Sequence, residues 1–325
     1  MKLLKSAALL TALTMSAPGA FAQELRMLSS WDENYAYNPY ILEPFYEGVS
    51  EGTDGRITFS QFGPETVPPF EQLEPVGSGA FDLLFTHGAY HFGVSPLMTA
   101  ADALEGDVEA VRESGIFDVF DEHYQQFNLK LIMLPITPEG AYHIFLRDPV
   151  SEEGDLEGRR IRGTLTYSGV IEMLGGVVTV LSPSEIYTAL ERGVVDGASW
   201  PIIGMLDYSW YEVAPYLLRP AFGVNYEPIF MNLDRWNSLS EEDQEVILEV
   251  ARDVEDAWYD DAVGIWEAEE AELIERGAEI TEMGDEQQAQ LREAWSEALW
   301  AMAEEQNAEA TQELRDFARE AGLTD

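Results

Sequence analysis

The 325-residue chain contains no cysteine, so disulfides, thiol chemistry and a cysteine-ligated metal are all closed to it, and its stability has to come from burial. It is also starved of lysine: only Lys2, Lys5 and Lys130 occur, and 18 Lys plus Arg face 61 Asp plus Glu for a formal net charge of −43. Such a surface repels nucleic-acid phosphates and anionic lipid, which argues against either as a partner. Catalytic signatures are missing as well. There is no Gly-x-Ser-x-Gly elbow, no phosphate-cradling glycine loop and no His-Glu-x-x-His, and the histidines are His87, His91, His123 and His143 alone. Paired carboxylates could be assembled from 61 acids at will and carry no information. His87 and His91 are spaced as helical metal ligands would be, but Gly88 and the strand-end setting argue against a zinc pair. What remains is a chain that is 46% hydrophobic with eight Trp, ample for a core and unlike a disordered polyelectrolyte. The acid excess reads as a surface adapted to a salty medium, where self-repulsion is screened.

Residues Met1–Ala22 carry Lys2 and Lys5, the apolar run Ala7–Leu13 and the small-x-small end Ala20-Phe21-Ala22, the pattern of a signal peptide cleaved after Ala22. The run is too short to anchor the chain in a bilayer, and no later stretch reaches membrane length without charges.

The rest alternates short apolar strands with amphipathic helical patterns. Glu24–Leu28, Arg56–Phe62, Phe81–Phe85 and Leu129–Leu134 read as strands, with helical patterns over Asn38–Val49 and Val108–Phe127 between them. A second series follows through Tyr142–Leu146, Arg160–Arg162, Val177–Leu181 and Gly197–Trp200. This grammar predicts two α/β lobes with largely parallel sheets. From Ser240 to Gly277 one unbroken helical pattern, opened by Glu241, Glu242 and Asp243, is long enough to back both lobes at once. The boundaries read as lobe I over 23–139 plus 228–267 and lobe II over 140–227 plus 268–325.

One block is far more specific than periodicity. Asp155-Leu-Glu-Gly-Arg-Arg-Ile-Arg162, then Glu185-Ile-Tyr-Thr-Ala-Leu-Glu-Arg-Gly-Val-Val-Asp-Gly197 and Pro201, closely resembles the signature of the substrate-binding proteins of tripartite ATP-independent periplasmic (TRAP) transporters. Gly79-Ala-Phe-Asp82 and Asn232-Leu-Asp-Arg-Trp236 extend the resemblance over essentially the whole chain after Ala22. It implies a Venus-flytrap fold braced by the long helix, a periplasmic location, a small organic acid or zwitterion as ligand, membrane permease subunits as partners, and no cofactor. It further implies that Arg162 pairs with the ligand carboxylate, a role that suits a planar fork of donors that never loses its charge.

Departures from the family pattern shape the rest of the expected site. Members that take sialic-acid-type ligands place an arginine where this chain has Tyr142 and an asparagine where it has Trp200, which argues against a large polyhydroxylated acid. Trp200, Trp31, Tyr142 and Phe222 would form an aromatic box, and Ser30, Glu65 and His87 fall at strand ends expected to face the cleft. A small cationic amine held by the box and Glu65, or a periplasmic enzyme on the same scaffold, is the competing reading.

Overall fold

A computed structural model describes residues 23–324. The expected signal peptide and its cleavage point lie outside the described residues. Eleven strands are assigned: β1 (Gln23–Ser29), β2 (Ile57–Phe62), β3 (Leu83–Phe85), β4 (Leu129–Met133), β5 (Tyr142–Leu146), β6 (Arg160–Arg162), β7 (Val177–Thr179), β8 (Gly197–Pro201), β9 (Tyr216–Arg219), β10 (Ile229–Asn232) and β11 (Glu279–Glu282). They form two sheets, one ordered β2-β1-β3-β10-β4 and the other β11-β9-β5-β8-β6-β7. Each sheet is the floor of one lobe.

Neither sheet is as parallel as the sequence pattern suggests. β10 runs antiparallel to β3 and β4, and β5 runs antiparallel to β8 and β9. The reason is chain crossing: β10 returns from the second lobe and enters the first sheet against its direction. The outward and returning segments lie side by side, with Thr137 N–H donating to Asn225 O at 3.0 Å, Glu227 N–H to Pro135 O at 3.1 Å and Gly140 N–H to Gly223 O at 2.9 Å. This paired crossing is the hinge.

Two helices tie the lobes together. The helix Glu241–Glu275 has 35 residues, about 52 Å at 1.5 Å per residue, and starts at Ser240, whose hydroxyl accepts the Asp243 N–H. In its first half Glu255 accepts the Leu134 N–H of the first lobe at 2.6 Å, and in its second half Glu269 accepts the Leu206 N–H of the second at 3.0 Å. The helix Asp285–Gln306 packs against Ser168–Met173 in the second lobe and against Leu97–Ala103 in the first.

Local differences from the sequence reading have visible causes. The expected helix over 108–127 breaks into Val108–Ser114 and Ile116–Gln125 because Gly115 takes φ +81°, a left-handed turn that ends one helix and starts the next. The C-terminal helix Ala308–Glu320 packs on the helix Asp285–Gln306 and also on the first-lobe helices Leu97–Ala100 and Ile116–Gln125, and Leu323 O accepts the Glu105 N–H at 2.6 Å. Its apolar face, Leu314 and Ala318, finds its cover there.

The crossing of Ser168–Met173 with Asp285–Gln306 is close because glycine meets alanine. A Cβ on Gly169 would stand 2.1 Å from Ala294 O and 2.3 Å from the Ala298 Cβ. Gly169→Ala is therefore expected to force the helices apart and to cost about 1–3 kcal/mol in a chemical-unfolding experiment. An unchanged unfolding midpoint would mean that the contact is looser than described.

Candidate functional site

The strands' ends deliver the site. On the first-lobe side Trp31 and His87 each lie two residues after the ends of β1 and β3, β5 begins with Tyr142, and β6 and β8 carry Arg162 and Trp200 on the second. Between them lies a narrow cavity lined by Trp31, Tyr35, His87, Tyr90, Tyr142, Thr164, Tyr167, Trp200, Pro201, Asn225 and Glu227. Both lobes and the hinge contribute to it, which is where a flytrap holds its ligand. A recess between the long helix and β4 lies within the first lobe, where Arg112 pairs with Glu255 and Asp256 and Lys130 with Asp121.

Arg162 is the most costly residue in the region. Its side chain is 0% exposed, yet among the described residues no carboxylate pairs with it. Its Nε and Nη2 donate to Leu181 O at 3.1 and 2.9 Å and its Nη1 donates to Ser199 O at 3.2 Å, while its plane lies 5.1 Å from the Trp200 ring centre. Burial pulls the guanidinium down from its ordinary value, opposed by the Tyr90 and Tyr167 phenols beside it. Arginine does not give up its proton in proteins, so the penalty surfaces as a demand for an anion. Burial in turn pushes the Tyr90 phenol up to about 12, with Arg162 pulling it the other way. Carbonyls satisfy three of the five guanidinium N–H groups, which leaves donors for a carboxylate.

The aromatic wall is continuous. Trp31 stacks on Tyr35 with ring centres 4.3 Å apart, Tyr90 meets Trp31 edge-on at 5.9 Å, and Tyr35 reaches across the lobes to the edge of Trp200 at 6.4 Å. Trp31 and Trp200 are each 3% exposed, so the lobes are shut over the cavity.

Polar groups form a chain through the hinge. The His87 Nδ1 accepts the Ala89 N–H at 3.1 Å, which places the ring proton on Nε2, 3.0 Å from an Asp102 oxygen and 3.1 Å from the Tyr142 hydroxyl. Burial lowers the His87 pKa but Asp102 more than offsets it; even so, a second proton on Nδ1 would confront the Ala89 N–H, and geometry favours the Nε2–H tautomer. Tyr142 donates to Asn225 Oδ1 at 2.7 Å, and Asn225 Nδ2 donates to Glu227 Oε1 at 2.9 Å, where the Tyr35 hydroxyl also donates at 2.6 Å. Burial pushes the Glu227 carboxyl up to about 8, against the Tyr35 and Asn225 hydrogen bonds that favour its charge.

Of the residues expected from the sequence, Trp31, Tyr142, Trp200 and His87 line the cavity and Arg162 lies against its Trp200 wall. Three others do not reach it. Ser30 is wholly buried behind the wall, bonded to Gln72 at 2.6 Å and Thr86 at 2.7 Å, and borders only the outer mouth with Phe70 and Pro183. Phe222 packs behind Tyr142 against Trp295. Glu65 is turned into its own exposed loop, accepting from Gly63 N–H at 3.0 Å and the Thr66 hydroxyl at 3.3 Å, so it cannot serve as the acid of an amine site. The acid that does face the cavity, Glu227, is one of 61 in the sequence; its signal is a lone carboxylate in the largely apolar stretch Phe222–Met231.

Comparison with known proteins agrees with this architecture. The model of a family described as bacterial extracellular solute-binding protein, family 7, matches residues 30–306. A monocarboxylate 2-oxoacid-binding periplasmic protein of Nostoc sp. is 28% identical over 238 residues, 68% of this chain and 63% of that protein. An ectoine-binding periplasmic protein of Halomonas elongata is 30% identical over 182 residues, 53% of this chain and 51% of that one. The chain thus spans under two thirds of the length of each of these two relatives. In fold it is similar to a TRAP periplasmic solute binding protein from Desulfovibrio salexigens crystallised with orotic acid, with a TM-score of 0.81 and 21% identity over 92% of this chain and 98% of that one.

Glu227 makes a testable contribution to stability. Its folded pKa of about 8 lies above the usual 4.5, so its contribution is whole below pH 4.5 and is lost as pH rises through 8. Ligand-free protein should lose stability between about pH 5 and 8, and Glu227→Gln should flatten that slope without removing it, because Glu269, raised to about 7, acts in the same sense. Denaturant titrations at the two pH values measure it; equal slopes would place Glu227 in contact with solvent.

Proposed function

Because the chain belongs to family 7 of the bacterial extracellular solute-binding proteins, we propose that it captures a small carboxylate-bearing solute between its lobes in the periplasm and hands it to the membrane subunits of a TRAP transporter. The observation that carries this reading is Arg162: a wholly buried guanidinium with no carboxylate partner, held beside a cavity that both lobes line. A bound carboxylate supplies the missing charge and takes the free N–H groups in a bidentate pair.

Closure follows from the same contacts. Arg162 and Trp200 sit on the second lobe and Trp31, Tyr35 and His87 on the first, so a ligand touching both faces favours the shut state over the open one by the difference in contacts. The two relatives named above are, by their names, binders of 2-oxoacids and of ectoine, both small acids, which supports a small rather than a polymeric ligand here. The narrow, aromatic-lined cavity points the same way.

A thermal-shift screen of the purified protein against small carboxylates tests the reading. A ligand at a hundred times its dissociation constant should add about 2.7 kcal/mol to stability. Arg162→Ala should weaken binding by about thirtyfold or more, and Arg162→Lys should recover only part of it, since an ammonium cannot pair bidentately. Carboxylate affinity that survives in both variants would remove Arg162 from the site.

A further inference from the structure

Arg162 has an opposite number. Glu227, on the returning strand of the hinge, is 2% exposed and lines the same cavity. Its Oε1 takes two hydrogen bonds, from Tyr35 and Asn225, while its Oε2 is buried without any partner among the described residues. Behind it the Tyr142 hydroxyl donates to Asn225 Oδ1 and the Asn225 amide donates to the carboxylate. Reversing the amide would set Asn225 Oδ1 against Glu227, so the chain ends on a group arranged to be an acceptor. The cavity accordingly carries an unmatched carboxylate in its lining, while Arg162, short of an opposite charge, lies against its Trp200 wall.

We propose that Glu227 is the second anchor of the site: its free Oε2 receives an N–H from a cationic nitrogen of the solute, so that the cleft selects a zwitterion with its carboxylate on Arg162 and an N–H-bearing ammonium or amidinium at Glu227. The inference rests on the reading of Arg162 given above. A plain monocarboxylate would leave the Glu227 oxygen unmatched in a shut cavity, a loss that buried polar groups make expensive. A fully N-methylated betaine would gain from the ring faces of Trp31, Tyr90 and Trp200 but bring no donor for Oε2. Selection is thus set by the N–H as well as by the charge.

Proton linkage gives the site a signature. Tyr35, Tyr37, Tyr90, Tyr142, Tyr167, Asn225, His87 and Asp102 are among the polar and titratable groups around Glu227. In the ligand-free protein burial holds Glu227 protonated up to about pH 8. A cationic nitrogen needs the ionised form, so binding below that pH expels a proton and affinity rises as pH climbs toward 8.

Isothermal titration calorimetry on the purified protein, with matched triplets of increasing size, tests this. Each triplet holds an amino acid, its fully N-methylated form and the acid lacking nitrogen, proline, N,N-dimethylproline and cyclopentanecarboxylate being one. The N–H zwitterion is expected to bind about tenfold or more tighter than either partner in the triplet that fits, with proton release seen by changing the buffer. Glu227→Gln, checked for an intact unfolding transition without ligand, should bring the three within about threefold and abolish the proton release. The inference is overturned if no zwitterion binds, if nitrogen-free acids or betaines bind as tightly in every triplet, or if Glu227→Gln leaves the ranking intact. In the last two outcomes loss of binding in Arg162→Ala keeps the carboxylate reading alive; cationic amines binding alone, indifferent to Arg162, would remove both.

Discussion

A guanidinium with no counter-ion lies at the centre of this molecule. In a chain with 61 acids, Arg26, Arg56, Arg112 and Lys130 each find a carboxylate, but Arg162 is fully buried with none among the described residues, held by the carbonyls of Leu181 and Ser199 and the face of Trp200. Burying an uncompensated charge is among the most destabilising things a fold can do, and it persists where function requires it. The surroundings limit the penalty without removing it. Two backbone carbonyls point inward at the ends of strands, the ring of Trp200 takes the planar face, and Tyr90 turns its phenol toward the same group. None of them neutralises the charge, which is why the proposed function has a solute carboxylate complete the site.

The hinge is where recognition and movement meet. Asn225 and Glu227 lie in the returning segment whose backbone pairs with Thr137 and Pro135 of the outward one, and their side chains carry the hydrogen-bond chain from His87 in the first lobe through Tyr142 in the second. Any rotation of the lobes strains that chain at the His87–Tyr142 contact. The long helix, fastened at Glu255 to one lobe and at Glu269 to the other, and the helix Asp285–Gln306 across the back restrict the motion to opening at the front, where Phe70 faces Pro183 and Tyr187 across the mouth. This is hinge closure, with two-lobe contacts to the ligand as its driving force.

Much of this was legible in the sequence, and the unread part has a physical cause. The two-lobe order, the long helix from Ser240 and the block from Asp155 to Pro201 are signals carried by many residues each, so they survive the noise of an acid-rich chain. Trp31, Tyr142 and Trp200 could be placed because strand ends follow from periodicity. Glu65 and Glu227 show where such reasoning stops. Both are glutamates near strand ends, but one hydrogen-bonds to its own loop and the other crosses the hinge to meet Tyr35, 192 positions away in the chain. Burial of a single carboxylate by distant segments leaves no local pattern. The same holds for Tyr90, whose phenol reaches Arg162 from the other lobe.

The most direct test of the account is a crystal structure of the protein with the solute it carries when purified from its native periplasm, read at the Arg162 guanidinium. The account predicts two carboxylate oxygens of the solute within hydrogen-bond distance of that group, in addition to the Leu181 and Ser199 carbonyls. A solute seated between Trp31 and Trp200 with no anionic oxygen on Arg162, or with its carboxylate bound elsewhere, would contradict it.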